Sequence, residues 1–188
     1  RLRFHGVLPV KTATHPVLGA CRMNLTFRKA TEEDASLIYN LAEKIWREHY
    51  YPDILSNQQI DYMLRTRYSP ELLAEKMRHG EQFYLGYGED RAIAYGSVEP
   101  VDGVYFLHKF YIDVAKQRSG VGSRFFEYLL LQTDSRKPVK LQVNRQNYKA
   151  INFYFKNGFI IESVQDFDIG GGYYMNDFIM ARKPEKAE

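Results

Sequence analysis

The passage from Val104 to Thr133 limits most strongly how this chain can fold. A nearly continuous apolar run, Val104–Val114, passes through a turn holding Gly120 and Gly122 into an amphipathic helical pattern over Ser123–Thr133. An unbroken apolar strand needs cover on both faces, which places it at the centre of a sheet. A helix that starts just after it has first-turn N–H groups without intrahelical partners. The helix dipole favours an anion there, and glycine lets backbone approach it with no Cβ between. Two readings stand: a tight strand-to-helix turn without a ligand, or a seat for a pyrophosphate. The turn lacks the third glycine of a dinucleotide fingerprint, and the next strand ends at Asn144, which is not acidic. Gly122-Ser123-Arg124 also lacks the lysine of a P-loop.

The other elements follow from periodicity and caps. Asn24–Lys29 alternates as a strand. Thr31 caps a helix whose Ala35, Ile38, Leu41, Ala42 and Ile45 share a face up to about Glu48. Ser56 opens a second helix, and Ser69-Pro70 a third that Gly80 ends. Gln82–Tyr87 and Arg91–Val98 form a hairpin about Gly88-Glu89-Asp90, and Val101-Asp102-Gly103 turns into the central strand. Val139–Asn144 is a strand, Lys149–Asn157 a helix stopped by Gly158, and Phe159–Val164 a strand. A glycine-rich loop at Ile169–Gly172 precedes the last strand, Tyr173–Arg182. This order predicts an α/β fold: a single three-layer domain with a central mixed, mostly antiparallel sheet of about seven strands flanked by helices.

Composition closes off other classes. The 188 residues suffice for one core, with 45% hydrophobic and 26% charged residues. A net charge of +3 is too balanced for non-specific nucleic-acid binding. A single cysteine, Cys21, excludes an internal disulfide and a cysteine-rich metal site, so no metal is expected. No apolar run approaches a membrane span, and a chain with no recognisable signal and one cysteine is expected in the cytoplasm. Residues 1–22 show no useful periodicity and read as a leader or vector-derived arm ahead of a 23–188 domain, or as an arm packed on a partner subunit. Fifteen tyrosines and twelve phenylalanines suit a sheet core and an aromatic-walled pocket.

One strand after the glycine turn comes N-x-x-A-x-x-F-Y-x-x-x-G-F, from Asn147 to Phe159. With the Q-x-x-G-x-G turn from Gln117 to Gly122, it resembles the GNAT superfamily of acyl-CoA-dependent N-acetyltransferases over roughly Leu25–Arg182. Arg118 stands where the family often has glycine, and Val114 where many members have proline. The pattern around Phe167, Gly170 and Asp177–Met180 looks, more loosely, like the bacterial spermidine/spermine acetyltransferase branch.

The resemblance implies acetyl-CoA as cosubstrate, with the central strands splayed to admit it. Main-chain groups of Phe110, Tyr111 and Ile112 would pair with the pantetheine arm. Gln117, Arg118, Ser119, Gly120, Val121, Gly122 and Ser123 would hold the pyrophosphate, Asn147 and Lys156 would contact the cofactor, and Tyr154 would face the thioester sulfur. Eight basic residues against two acidic ones from Ala115 to Lys149 suit a polyphosphate. Dimers are common in the family, which makes a homodimer an expected arrangement.

Acetyl transfer requires a neutral amine, and an amine of pKa about 10.4 is neutral in roughly one molecule in two thousand at pH 7. The leaving thiolate needs a proton, which a tyrosine such as Tyr154 can give. Its other reading is a core tyrosine between Phe153 and Phe155. For the base, His108 falls in the row Phe106, His108, Phe110, Ile112 by period two. The alternative is a structural histidine, and Glu99 is the rival base. Asp113 has the opposite parity and reads as a surface residue. Cys21 could carry an acetyl group, but direct attack in a ternary complex is the preferred route.

Six acids against two bases over Thr31–Asp53, beside Trp46, Tyr50 and Tyr51, suit a cationic acceptor. The competing reading is a solvated helix surface with Trp46 in the core. Three functions follow: acetylation of a small amine such as a polyamine, acetylation of a protein lysine or N-terminus through a groove that Tyr50-Tyr51-Pro52 leaves open, or a silent acyl-CoA-binding module.

Overall fold

In a computed structural model, residues 24–113, 115 and 120–184 are described. The expected arm 1–22, Cys21, Val114 and the candidate ligands Gln117, Arg118 and Ser119 lie outside them. Strands β1 (Leu25–Lys29), β2 (Gln82–Gly88), β3 (Arg91–Val101), β4 (Val104–Ile112), β5 (Val139–Asn144), β6 (Ile160–Gly170) and β7 (Tyr173–Arg182) form one sheet. Its order is β1-β2-β3-β4-β5-β7-β6, and every neighbouring pair is antiparallel except β4 and β5. Helices α1 (Ala35–His49), α2 (Asn57–Arg67) and α3 (Pro70–Arg78) cover one face; α4 (Val121–Leu130) and α5 (Tyr148–Lys156) cover the other. The expected seven-stranded, three-layer α/β architecture is present. No helix among the described residues is long and apolar enough to cross a membrane.

Each layer buries its own apolar stripe. Ile38, Ala42, Ile45 and Trp46 of α1 join Ile60, Leu64 and Leu73 against Phe83, Leu85 and Tyr95 of the sheet. On the other face Phe125, Phe126 and Leu129 of α4 meet Ile93, Ala94, Leu107 and Leu141. Ser56 and Ser69 cap α2 and α3 by accepting the N–H groups of Gln59 and Leu72.

One irregularity shapes the centre. On β3, Val98 pairs with Leu107 and Ser97 with Lys109, so His108 is an extra residue opposite nothing. Such a bulge disrupts the ladder and increases local twist. The parallel β4–β5 pairing ends here, with Leu107 opposite Leu141. Beyond it β5 keeps its other neighbour, β7, as far as Asn144 opposite Asp177. The two central strands therefore part.

The bulge corrects two sequence expectations. His108 does not share a face with Phe110 and Ile112, because the extra residue inverts the alternation: Leu107, Phe110 and Ile112 pack toward α4 and α5. Asp113 is not a surface residue. It is buried, accepts a bond of 2.8 Å from the Lys44 ammonium, and caps the N–H of Ala115. Strand β6 also runs six residues past the expected end at Val164, to Gly170. It is the sheet edge with mostly exposed side chains, so its sequence carries no apolar alternation, and pairing with β7 alone extends it.

Inverted parity also aims Lys109 into the α3 side of the core. It is 4% exposed and bonds Glu81, which accepts a further bond from Ser97 Oγ at 2.5 Å. Burial lowers the Lys109 ammonium to about 8 despite that partner. Lys109→Met would strand the Glu81 carboxylate and should cost about 3 kcal/mol or more in denaturant unfolding, whereas Glu81→Leu/Lys109→Met should recover most of it.

Candidate active site

Where β4 and β5 part, a cavity of about 620 Å³ opens. Its floor is Leu107, and its sides are β4 and the outer half of β5, Gln142–Asn144. The parallel ladder between β4 and β5 covers Tyr105–Leu107 and stops there. Beyond it the amide and carbonyl groups of β4 at Phe110–Ile112 line a slot that an extended ligand arm can enter as an added strand.

At one end of the slot, α4 begins. Gly120 takes a left-handed φ of 80°, which turns the chain into the helix. The N–H groups of Val121, Gly122 and Ser123 precede the first intrahelical bond, from Arg124 N–H to the Gly120 carbonyl. Among the described residues, a Cβ on Gly122 would meet nothing nearer than Ile112 Cγ1 at 3.9 Å. Packing among the described residues does not require glycine there, and the first turn of a helix is a seat that suits a phosphate group.

Helix α5 supplies the opposite wall. Asn147 caps it by accepting the Ala150 N–H at 3.1 Å, and its amide donates to the Tyr50 hydroxyl at 3.3 Å. Phe153 stacks on Phe110 with ring centres 5.5 Å apart. Tyr154 is 6% exposed among Phe110, Phe126 and Phe159, and burial drives its phenol well above the usual value. It therefore carries its proton throughout the neutral range. Lys149 and Lys156 also line the cavity.

His108 and Glu99 prove to be neighbours, not rivals. The imidazole Nε2 lies 2.7 Å from the Glu99 carboxylate, and burial keeps the ring's pKa below its ordinary value. A neutral imidazole donates Nε2–H to that carboxylate, which leaves the Nδ1 lone pair available. His108 lines the cavity; Glu99 does not.

The third wall belongs to the α1–α2 face. Tyr111 stacks on Tyr95 at 5.0 Å and approaches Trp46 and Tyr50 at 6.0 Å. The tip of the β6–β7 hairpin is tied to α2, because the Tyr62 hydroxyl donates to the Ile169 carbonyl at 2.9 Å. That anchorage sets β7 so that Met175 and Asp177 line the cavity. Asp177 is 3% exposed and its Oδ1 has no hydrogen-bond partner among the described residues. Burial pushes its carboxyl up to about 6; Arg145 opposes the shift and Asp166 adds to it.

Of the sequence candidates, the cavity brings together His108, Phe110, Tyr111, Ile112, Gly120, Gly122, Ser123, Asn147, Tyr154 and Lys156. Val121 is buried in the core, so only its backbone could serve. The acidic run on the first helices does not make the acceptor wall. Asp34, Glu43, Glu48 and Glu32 pair with Arg28, Arg47, Lys44 and Arg78. Likewise Arg136, Lys140 and Arg145 of the basic stretch pair with Asp134, Glu162 and Asp166. Sequence reasoning missed Asp177 as a site residue, although its signal was present: an acid between Met175 and Ile179 on the inward parity of a strand.

The comparisons with known proteins agree with this geometry. Residues 53–168, more than half the chain, match the family model described as "Acetyltransferase (GNAT) domain". The chain belongs to the GNAT acetyltransferase family. It is an acyl-CoA-dependent N-acetyltransferase whose cosubstrate is acetyl-CoA. It is 26% identical to the spermidine N(1)-acetyltransferase of Thermoplasma acidophilum, over 87% of this chain and 99% of that one. A solved structure of the PaiA N-acetyltransferase from the same organism, in complex with coenzyme A, shares the fold with a TM-score of 0.70 and 24% identity, covering 86% of this chain and 99% of that one. A stretch of 34 residues is 50% identical to part of the AlkB dioxygenase of Salmonella typhimurium, 18% of this chain and 16% of that protein.

Two predictions follow from this GNAT site. Gly122→Ala should stabilise α4 by about 0.5–1 kcal/mol yet weaken coenzyme A binding roughly tenfold by calorimetry, since the methyl enters the space kept for phosphate. Asp177 titrates near 6 when folded and near 3.8 when unfolded, so its charge opposes folding. The penalty is absent below about pH 4, grows to about pH 6 and is constant above. Asp177→Asn should therefore be more stable than wild type at pH 8, by on the order of 2 kcal/mol, and lose that advantage near pH 4.

Proposed function

We propose that this enzyme acetylates a small cationic amine, of the polyamine class, by direct attack in a ternary complex with acetyl-CoA. One observation carries the reading: a single cavity holds the slot for the thioester, a protonated tyrosine, a neutral histidine and, on its α1–α2 side, the buried Asp177 carboxylate beside Tyr50 and Tyr111. A buried carboxylate flanked by aromatic rings favours a small cationic acceptor. The relative named for spermidine acetylation supports the same amine class.

The residues divide the work as follows. Acetyl-CoA supplies an acyl group activated as a thioester. Backbone groups of Phe110–Ile112 and the start of α4 hold it, with Asn147 and Lys156 beside it; Gln117, Arg118 and Ser119, which precede Gly120 in sequence, are assigned to the pyrophosphate by the family resemblance alone. His108, oriented by Glu99, takes the proton that the ammonium must lose. The freed amine nitrogen bonds to the acetyl carbon and the carbon–sulfur bond breaks. Tyr154 gives its phenolic proton to the departing sulfur. The second proton leaves the nitrogen as the amide forms and restores the Tyr154 phenol, so that of the ammonium's two protons one ends in the thiol and one passes through His108 to solvent.

Tyr154→Phe should lower kcat about 10²-fold with coenzyme A affinity unchanged. An unaltered turnover would remove Tyr154 from the role. Thiol release measured across a panel of amines tests the acceptor class. Release with polyamines and simple diamines supports it, and release only with peptide amines contradicts it.

A further inference from the structure

The geometry points to Asp177 as the residue that selects the acceptor, by pairing with an ammonium group that keeps its charge while a second amine of the same molecule reacts. This rests on the amine-acetylation reading above and narrows it to dications and polycations.

Four observations converge. First, Asp177 lines the cavity on the α1–α2 face, since β7 alternates with Phe178 and Met180 turned toward α4 and α5. Second, the carboxylate is almost wholly buried and its Oδ1 has no hydrogen-bond partner among the described residues. A buried carboxylate without a cation is costly, and natural sites keep such a group where a ligand supplies the missing charge. Third, the cation that could neutralise it is already taken: Arg145 donates to Asp166 at 2.5 Å, and Asn176 donates to the same oxygen at 2.7 Å. Fourth, the surroundings suit an alkylammonium. Tyr50 faces Asp177 from the end of α1, Tyr111 from β4 and Met175 from β7, and both phenols keep their protons because burial raises them.

Position argues for a non-reacting ammonium. Asp177 sits opposite Asn144, three residues along β5 from Leu141, whose partner Leu107 adjoins the proposed base His108 at the floor of the slot. At about 3.3 Å per residue that is roughly 10 Å. A carboxylate paired with the reacting ammonium would also hold that amine in its unreactive charged form and favour the ground state over the transition state. Pairing with a second ammonium has no such effect, because its charge is unchanged through the reaction.

Steady-state kinetics with 1,4-diaminobutane and 1-aminobutane test this directly, in wild type, Asp177→Asn and Asp177→Glu. Wild type should prefer the diamine in kcat/KM by about 30-fold or more. Asp177→Asn should cut that preference below about threefold, mainly through KM, and Asp177→Glu should keep part of it. Coenzyme A binding by each variant certifies the fold. Equal diamine preference in wild type and Asp177→Asn would overturn the assignment, as would a wild type that acetylates both amines equally, although N-acetyl transfer itself would then stand. If wild type releases no thiol with any amine, the functional reading fails. Calorimetry of 1,4-diaminobutane on the coenzyme A complex then decides Asp177 alone. Binding lost in Asp177→Asn sustains it, and no binding to wild type refutes it.

Discussion

One extra residue in β4 organises this molecule. Because His108 has no counterpart on β3, the ladder twists where the parallel pairing with β5 stops, and β5 follows β7 instead. A gap between two central strands would ordinarily leave buried N–H and C=O groups unpaired, at a cost comparable to lost hydrogen bonds. On the reading proposed above, an extended ligand arm fills the gap and takes up these groups as an added strand. The same bulge turns Lys109 inward to Glu81 and Tyr111 toward α1, so the position of the slot, the buried ion pair and the aromatic wall share one cause.

The electrostatics of the cavity divide along the two faces of the sheet. On the α4–α5 face lie the helix N-terminus, Lys149 and Lys156, which favour anionic groups. On the α1–α2 face lies Asp177, which favours a cation. The two are separated by protonated phenols and a neutral imidazole, groups that move protons without adding fixed charge. An enzyme that brings a polyphosphate-bearing donor to a cationic acceptor has use for such a separation, because each substrate finds its complement only on its own side.

Much of this was legible in the sequence, for identifiable reasons. The apolar run of β4, the caps Ser56 and Ser69, and the stripe of α1 report local rules, and the elements follow them closely. The glycine turn and the α5 pattern placed Gly120, Gly122, Asn147 and Tyr154 around one site. What could not be read depended on pairing. A bulge is a relation between two strands, so period two misplaced His108 and Asp113. The charge counts failed similarly: Glu43 and Glu48 sit one turn from Arg47 and Lys44, which neutralise them, whereas a single acid on β7 faces the cavity. Net charge over a stretch of sequence says little about which charge lacks a partner.

The central claim is that acyl-CoA lies in the gap opened after His108. Amide hydrogen exchange read by mass spectrometry, with and without saturating coenzyme A, addresses it directly. The account expects new protection confined to the outer half of β4, Lys109–Ile112, and the first turn of α4, Val121–Arg124, with β1 and β6 unchanged. Protection absent from both segments, or falling on another part of the sheet, would contradict it.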